Sequence, residues 1–374
     1  MERRRSNDNV ALSQPNYREP EQSNPDFELD PRNARRLIRA AEKTLPPAIV
    51  KADASSGSYR RQDIKVGKVL GIGGFGHVSE VLSMKGSNDM LVMKTLVPHK
   101  NAEHALFACH HIAMEKYILS QLDHPNIIRL RGSNKGGLSA IAETARMDAC
   151  FLLLDRLPET LSDRIEHWQR QQAKPKRRRS FTQSLSALVI SRKSFAQDPD
   201  IFREKLGIMI QIASALEHLH SKRIILRDLK PDNVGFDMKE RRVVKLFDFG
   251  MAEPLPENVD LEKTHDLAGR VGTTRYMATE VLREEPYNVK ADVFSFSLVV
   301  WEILTLERPH ERSSPDASVF GERPKIPKEW PSALKRILQR GWSDDLETRP
   351  SMIEFRLVLE DLKRQADEES DEEL

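Results

Sequence analysis

Leu226-Arg-Asp-Leu-Lys-Pro-Asp-Asn233 and, shortly after it, Asp248-Phe-Gly250 place a carboxylate, an ammonium, an amide and a second carboxylate in a fixed order. Asp228 offers a carboxylate, which can accept or orient a proton. Lys230 offers an ammonium, and the amide of Asn233 and the carboxylate of Asp248 offer oxygen donors of the kind a hard divalent cation prefers. Far upstream, Gly71-Ile-Gly-Gly-Phe-Gly-His-Val78 carries glycines at G-x-G-x-x-G spacing. By itself that spacing fits any tight turn or dinucleotide loop. A dinucleotide fold would follow it with a helix, whereas here the chain runs on into β-type sequence, Val78-Ser-Glu-Val-Leu82.

The surrounding composition sets bounds. The chain has 374 residues, 39% hydrophobic and 31% charged, which suits a soluble globular protein of one or two domains with polar flanks. A net charge of +2 gives no reason to expect a nucleic-acid partner. Two cysteines, Cys109 and Cys150, make no disulfide framework and no zinc spacing. The start, Met1-Glu-Arg-Arg-Arg-Ser, lacks the apolar stretch of a secretory signal. No apolar run approaches the roughly 18–20 residues that a spanning helix needs, so no membrane span is expected and the protein reads as intracellular.

Residues 1–61 are polar and hold six prolines, which predicts a largely disordered extension, with 31–42 compatible with one basic helix. From Ile64 to Lys94, short β-rich runs separated by glycines and by Lys85-Gly-Ser-Asn-Asp89 predict a small antiparallel sheet. Apolar positions at helical spacing follow over 103–122 and stop at Asp123-His-Pro-Asn126. More strand-like sequence leads to Cys150-Phe-Leu-Leu-Leu154, and beyond Pro158 helical patterns dominate (201–221, 290–306, 331–340 and 351–364). The predicted class is α+β in two lobes, 62–155 and 158–363, and residues 364–374 form an acidic tail. Residues 169–197 hold eight Lys or Arg and no acid and interrupt the helical pattern. Within them, Lys174-Pro-Lys-Arg-Arg-Arg179 reads either as a nuclear-import or phosphorylation signal or as a plain solvated insert.

Taken together, the ordered motifs resemble the eukaryotic-type protein kinases over roughly residues 62–363. The resemblance implies a small antiparallel β-sheet lobe with one helix, a larger helical lobe, and Mg²⁺ and ATP bound between them. It implies that Gly71, Gly73, Gly74 and Gly76 close the backbone over the triphosphate, with Phe75 at the tip of the loop. Leu70, Val78 and Val92 would face the adenine, and Asp155 and Leu157 would complete the nucleotide site. Lys94, which alone could be any surface lysine, would pair with Glu115 and hold the phosphates. Asp228 would take the proton of a substrate hydroxyl, Lys230 would neutralise the transferring group, and Asn233 and Asp248 would hold Mg²⁺. Lys230 and Gly272-Thr-Thr-Arg-Tyr276 resemble serine/threonine-specific members, with Thr273 bridging Asp228 and Lys230. Arg323-Pro-Lys-Ile-Pro327, Gly341-Trp342 and Arg349-Pro350 resemble the tyrosine-kinase-like branch. Further expectations are an Arg349–Glu280 pair and an Asp292 that braces the catalytic loop.

Four places depart from the family pattern. Leu226 stands for histidine, Thr279 for the proline of A-P-E, and Ser297 for a glycine in a buried helix. The fourth is a pair, Val92 for alanine and Gly235 for a bulky residue, read as volume compensation between roof and floor of the adenine pocket. None removes a catalytic group. The expected function is a serine/threonine kinase acting on protein substrates, with a nucleotide-binding pseudokinase scaffold as the alternative. Arg227 would receive a phosphate on Thr264, unless an acidic loop residue (Glu257, Asp260, Glu262 or Asp266) already serves it.

Overall fold

In a computed structural model, residues 29–55, 59–73, 76–84, 90–98, 101–173, 199–267 and 269–371 are described. The Lys85–Asp89 turn, the loop-tip residues Gly74 and Phe75, and most of the basic insert lie outside them. In chain order the main elements begin with α1 (Pro31–Thr44), α2 (Pro47–Ser55), β1 (Ile64–Ile72), β2 (Gly76–Met84) and β3 (Leu91–Leu96). Next come α3 (Ala102–Leu119), β4 (Leu130–Ser133), α4 (Ser139–Thr144) and β5 (Phe151–Asp155). The larger half has α5 (Leu161–Ala173), α6 (Pro199–Ser221), β6 (Ile224–Ile225), β7 (Val234–Phe236), β8 (Val244–Leu246) and β9 (Glu253–Pro254). It finishes with α7 (Thr279–Leu282), α8 (Lys290–Thr305), α9 (Ser332–Gly341) and α10 (Met352–Asp371).

Strands β1–β5 form one antiparallel sheet in the order β1-β2-β3-β5-β4. Two short ladders, β6 with β9 and β7 with β8, lie in the helical half and frame the catalytic segment. Helix α8 is buried almost throughout, as its predominantly apolar sequence predicts. Arg349, though charged, is among the most buried side chains: both carboxylate oxygens of Glu280 take its guanidinium at 2.7 Å.

The N-terminal extension is where the structure corrects the sequence reading. Disorder was expected over most of 1–61, with at most one basic helix over 31–42; that helix is present as α1, and a second, α2, follows it. Helix α1 starts on Asp30, whose carboxylate accepts from Arg32 N and Asn33 N, with Pro31 in the first turn. Ala34, Ile38 and Ala41 recur at helical spacing and are all buried. Low average hydrophobicity hid a narrow stripe that a matching face on α3 and α4 covers. The strand-like sequence expected up to β5 holds β4, but α4 and a 3-10 turn separate β4 from β5, and α4 gives α1 part of that face. At the other end, α10 runs seven residues past the expected stop, so most of the acidic tail is helix.

The departures also find partners. Thr279 Oγ1 accepts from Arg323. Ser297 donates to Val293 O at 2.8 Å inside α8, and the hydroxyl occupies the place of a side chain at Gly341, whose Cβ would lie 2.0 Å from it. Leu226 is buried in the same core cluster as Phe249. For Gly235 the compensating residue is Leu157, not Val92: a Cβ at Gly235 would lie 2.6 Å from Leu157 Cδ1. The floor is filled by a neighbour on the same side of the pocket.

Candidate active site

Strand β3 delivers Lys94 to the cleft between the lobes, set by its pairing with Val78 on β2 and Leu152 on β5. Lys94 Nζ donates to Glu115 Oε2 at 2.6 Å and to Asp248 Oδ1 at 2.8 Å. Burial works against the ammonium, but the two carboxylates outweigh it and hold its pKa above the ordinary lysine value. Burial likewise opposes the Asp248 charge, yet Lys94 pulls that carboxyl down to about 2. Glu115 is buried on α3, and burial pushes its carboxyl up against the pull of Lys94.

The catalytic segment follows β6. Asp228 Oδ1 accepts from Thr273 Oγ1 at 2.6 Å, Oδ2 lies 3.0 Å from Lys230 Nζ, and Lys230 also donates to Thr273 Oγ1 at 2.8 Å. Burial raises the Asp228 pKa, opposed chiefly by Lys230, which makes it a better proton acceptor than a solvated aspartate. Asn233 Nδ2 donates to Asp228 O at 2.9 Å and Oδ2 at 3.0 Å, leaving the amide oxygen for a cation. Buried Asp292 braces the loop from α8: it accepts from Leu226 N at 2.8 Å and Arg227 N at 2.9 Å. Arg227 and Asp248 hold φ of 68° and 64°, a left-handed conformation that ordinary side chains disfavour. Strain of this kind persists where surrounding bonds over-determine it, as at functional sites.

The cleft has a volume of about 520 Å³, within the range of small-ligand sites. Its lining includes Leu70, Gly71, Gly73, Gly76, Val78, Val92, Lys94, Glu115, Asp155, Leu157 and Asp248 from the sequence reading. Gly76 is glycine because β3 is close: a Cβ there would meet Thr95 O at 2.2 Å. Asp155 lines the cleft, but its carboxylate is taken by Arg131 Nε at 2.6 Å and Arg129 N at 3.4 Å.

Sequence reasoning missed Leu154, Phe247 and His111, which also line the cleft. Leu154 belongs to a run buried on both faces, where periodicity cannot say which side chain faces a ligand. His111 sits on α3 against Gly250, whose Cβ would lie 2.6 Å from His111 Nδ1. Burial keeps that imidazole neutral, its pKa pushed down to about 3. Arg227 does have a standing carboxylate partner, but it is Glu253, at 2.9 Å, and none of the four acids named from sequence.

The oxygen donors of Asn233 and Asp248 fit Mg²⁺. Among the described residues no three His, Cys, Asp or Glu side chains converge as a full cage. Two protein donors suit a cation that keeps waters and shares phosphate oxygens.

Comparison with known proteins agrees with this geometry. The family description "Protein kinase domain" matches residues 64–357. The serine/threonine-protein kinase STY46 of Arabidopsis thaliana is 36% identical over 179 residues, 46% of this chain and 29% of the relative. The serine/threonine/tyrosine-protein kinase HT1 of the same plant is 35% identical over 161 residues, 41% of this chain and 39% of the relative. A putative serine/threonine-protein kinase/receptor of Acanthamoeba polyphaga mimivirus, R826, is 28% identical over 303 residues, 79% of this chain and 15% of the relative. The chain thus spans well under half the length of these relatives. With its cleft, catalytic segment and matched span in agreement, the chain belongs to the protein kinase family.

Proposed function

We propose that this chain is a serine/threonine protein kinase that transfers the γ-phosphate of ATP to hydroxyls of protein substrates. The observation that carries the reading is the closed set Asp228–Lys230–Thr273, near enough to the Lys94–Glu115–Asp248 group for the Asp248 charge to act on Asp228. Lys94, fixed by Glu115, would hold the α- and β-phosphates. Asn233 and Asp248 would hold Mg²⁺, which supplies charge neutralisation on the phosphates.

In the transfer, the substrate oxygen forms a bond to the γ-phosphorus as the bond to the bridging oxygen breaks. ADP leaves with that electron pair, and the proton of the hydroxyl passes to Asp228. Lys230 offsets the negative charge of the migrating group. Thr273 ties Asp228 and Lys230 to the loop that would receive a peptide, which favours a protein acceptor over a small molecule. Leu226 and Thr279, the changes that could mark a scaffold, are packed or hydrogen-bonded and leave every reacting group in place.

Action inside the cell belongs to this proposal. Among the described residues no helix is long and apolar enough to cross a membrane. Incubation with labelled ATP, Mg²⁺ and a generic basic protein, followed by acid hydrolysis, tests the reading. Phosphoserine or phosphothreonine is the expected product; label confined to phosphotyrosine, or none, contradicts it.

A further inference from the structure

Helices α1 and α2 precede the span that matches the kinase family. They lie against α3, the helix that carries Glu115. Ala34, Ile38, Ala41 and Ile49 are buried there, and Thr44 Oγ1 meets His110 Nε2 at 2.7 Å. The contact ends in a buried polar clasp. Lys116 Nζ donates to Asp53 O at 2.8 Å and Asp53 Oδ1 at 3.0 Å, and Leu138 N donates to Asp53 Oδ2 at 2.6 Å. Gly137, at φ 55°, lets the backbone come that close, since a Cβ there would lie 2.1 Å from Asp53 Oδ2.

Lys116 is the residue after Glu115, and consecutive helix positions point about 100° apart. Helix α3 is therefore held on two sides, by Glu115 to Lys94 in the cleft and by Lys116 to Asp53 outside it. A rotation or outward shift of α3 that parted Glu115 from Lys94 would also pull a buried ammonium from its carboxylate.

We propose that Asp53 is a positioning residue for phosphoryl transfer: through Lys116 it holds α3, and so Glu115, where Lys94 is paired. The proposal rests on the kinase reading of the cleft. The N-terminal helices then act as a built-in brace that makes the paired arrangement the resting state without a separate activating partner.

The test uses the full chain, with Asp53→Asn, Lys116→Met and the double variant. Asp53→Asn removes the carboxylate charge that faces a buried ammonium and lowers both stability and activity. The double variant removes the ammonium as well, so its melting temperature moves back toward wild type while its brace stays absent. Its kcat/KM for Mg-ATP is expected to stay about tenfold down, with KM for the protein substrate unchanged. Amides of α3 are expected to exchange about tenfold faster than in wild type. If Asp53→Asn does not fold, the double variant decides alone. Recovery of activity together with stability, or α3 exchange equal to wild type, overturns the proposal. Amide exchange needs no catalysis, so a wild type that transfers no phosphate would fail the kinase reading while the exchange result still judges the brace.

Discussion

Glu280→Gln removes one charge from the most enclosed ion pair in the helical lobe. The Arg349 side chain has no exposure, and its Nη1 and Nη2 each meet a Glu280 oxygen at 2.7 Å. After the change, Nε keeps Ser343 O at 2.8 Å and Nη1 keeps Lys290 O at 3.1 Å. Neutral carbonyls retain those hydrogen bonds but cannot cancel a buried guanidinium charge. Removing one partner of such a pair costs about 3–5 kcal/mol, and the retained bonds place this case near about 3. At about 2–4 °C per kcal/mol for a large domain, thermal unfolding followed by circular dichroism should begin about 6–12 °C lower. Adding Arg349→Met removes the stranded charge and should restore part of the loss. A shift below about 2 °C for Glu280→Gln would mean the pair is not the closed, water-free contact described, and would refute the reasoning.

Burial lifts the Glu302 carboxyl from the ordinary 4.5 to about 7, although the Tyr276 hydroxyl donates to it at 2.7 Å. The folded state then holds a proton that the unfolded chain has lost, so this group's contribution to stability falls as pH rises from about 4.5 to about 7. Glu302→Gln should flatten that fall in denaturant titrations across this range; an unchanged slope contradicts it. Gly341→Ala places a Cβ 2.0 Å from Ser297 Oγ and should cost about 1–3 kcal/mol. Ser297→Gly in the same chain should recover most of it, and simple additivity in the double-mutant cycle would refute the contact. Because Glu253 already pairs with Arg227, active protein should carry no phosphate between Asp248 and Glu280 by mass analysis. Activity that disappears on phosphatase treatment would contradict this.

Residues whose chemistry is irreplaceable were legible in the sequence. Lys94 pairs with Glu115 and Asp248, and Asp228 with Lys230 and Asn233, as the motif order led one to expect. Long helices such as α6 and α8 also fell close to their expected bounds, since a sustained apolar period marks them.

Shape complementarity was not legible. Gly235 was matched to Val92 across the pocket, yet Leu157 occupies the space, and one-dimensional spacing cannot tell which neighbour leans in. Glu253 was passed over for more distant acids because the β6–β9 ladder that positions it is only two residues long. Helix α1 was legible only as a possible basic helix and α2 not at all, because a segment poor in apolar residues can still fold when a partner face covers its narrow stripe. That face exists only in the folded chain.

The central claim is that Asp228 receives the proton of an incoming hydroxyl in the cleft that holds the nucleotide. Single-turnover transfer from Mg-ATP to a basic protein, compared between wild type and Asp228→Asn, measures it most directly. Transfer should fall by about 10²–10⁴-fold while nucleotide affinity is kept. Equal rates for the two proteins would contradict the account.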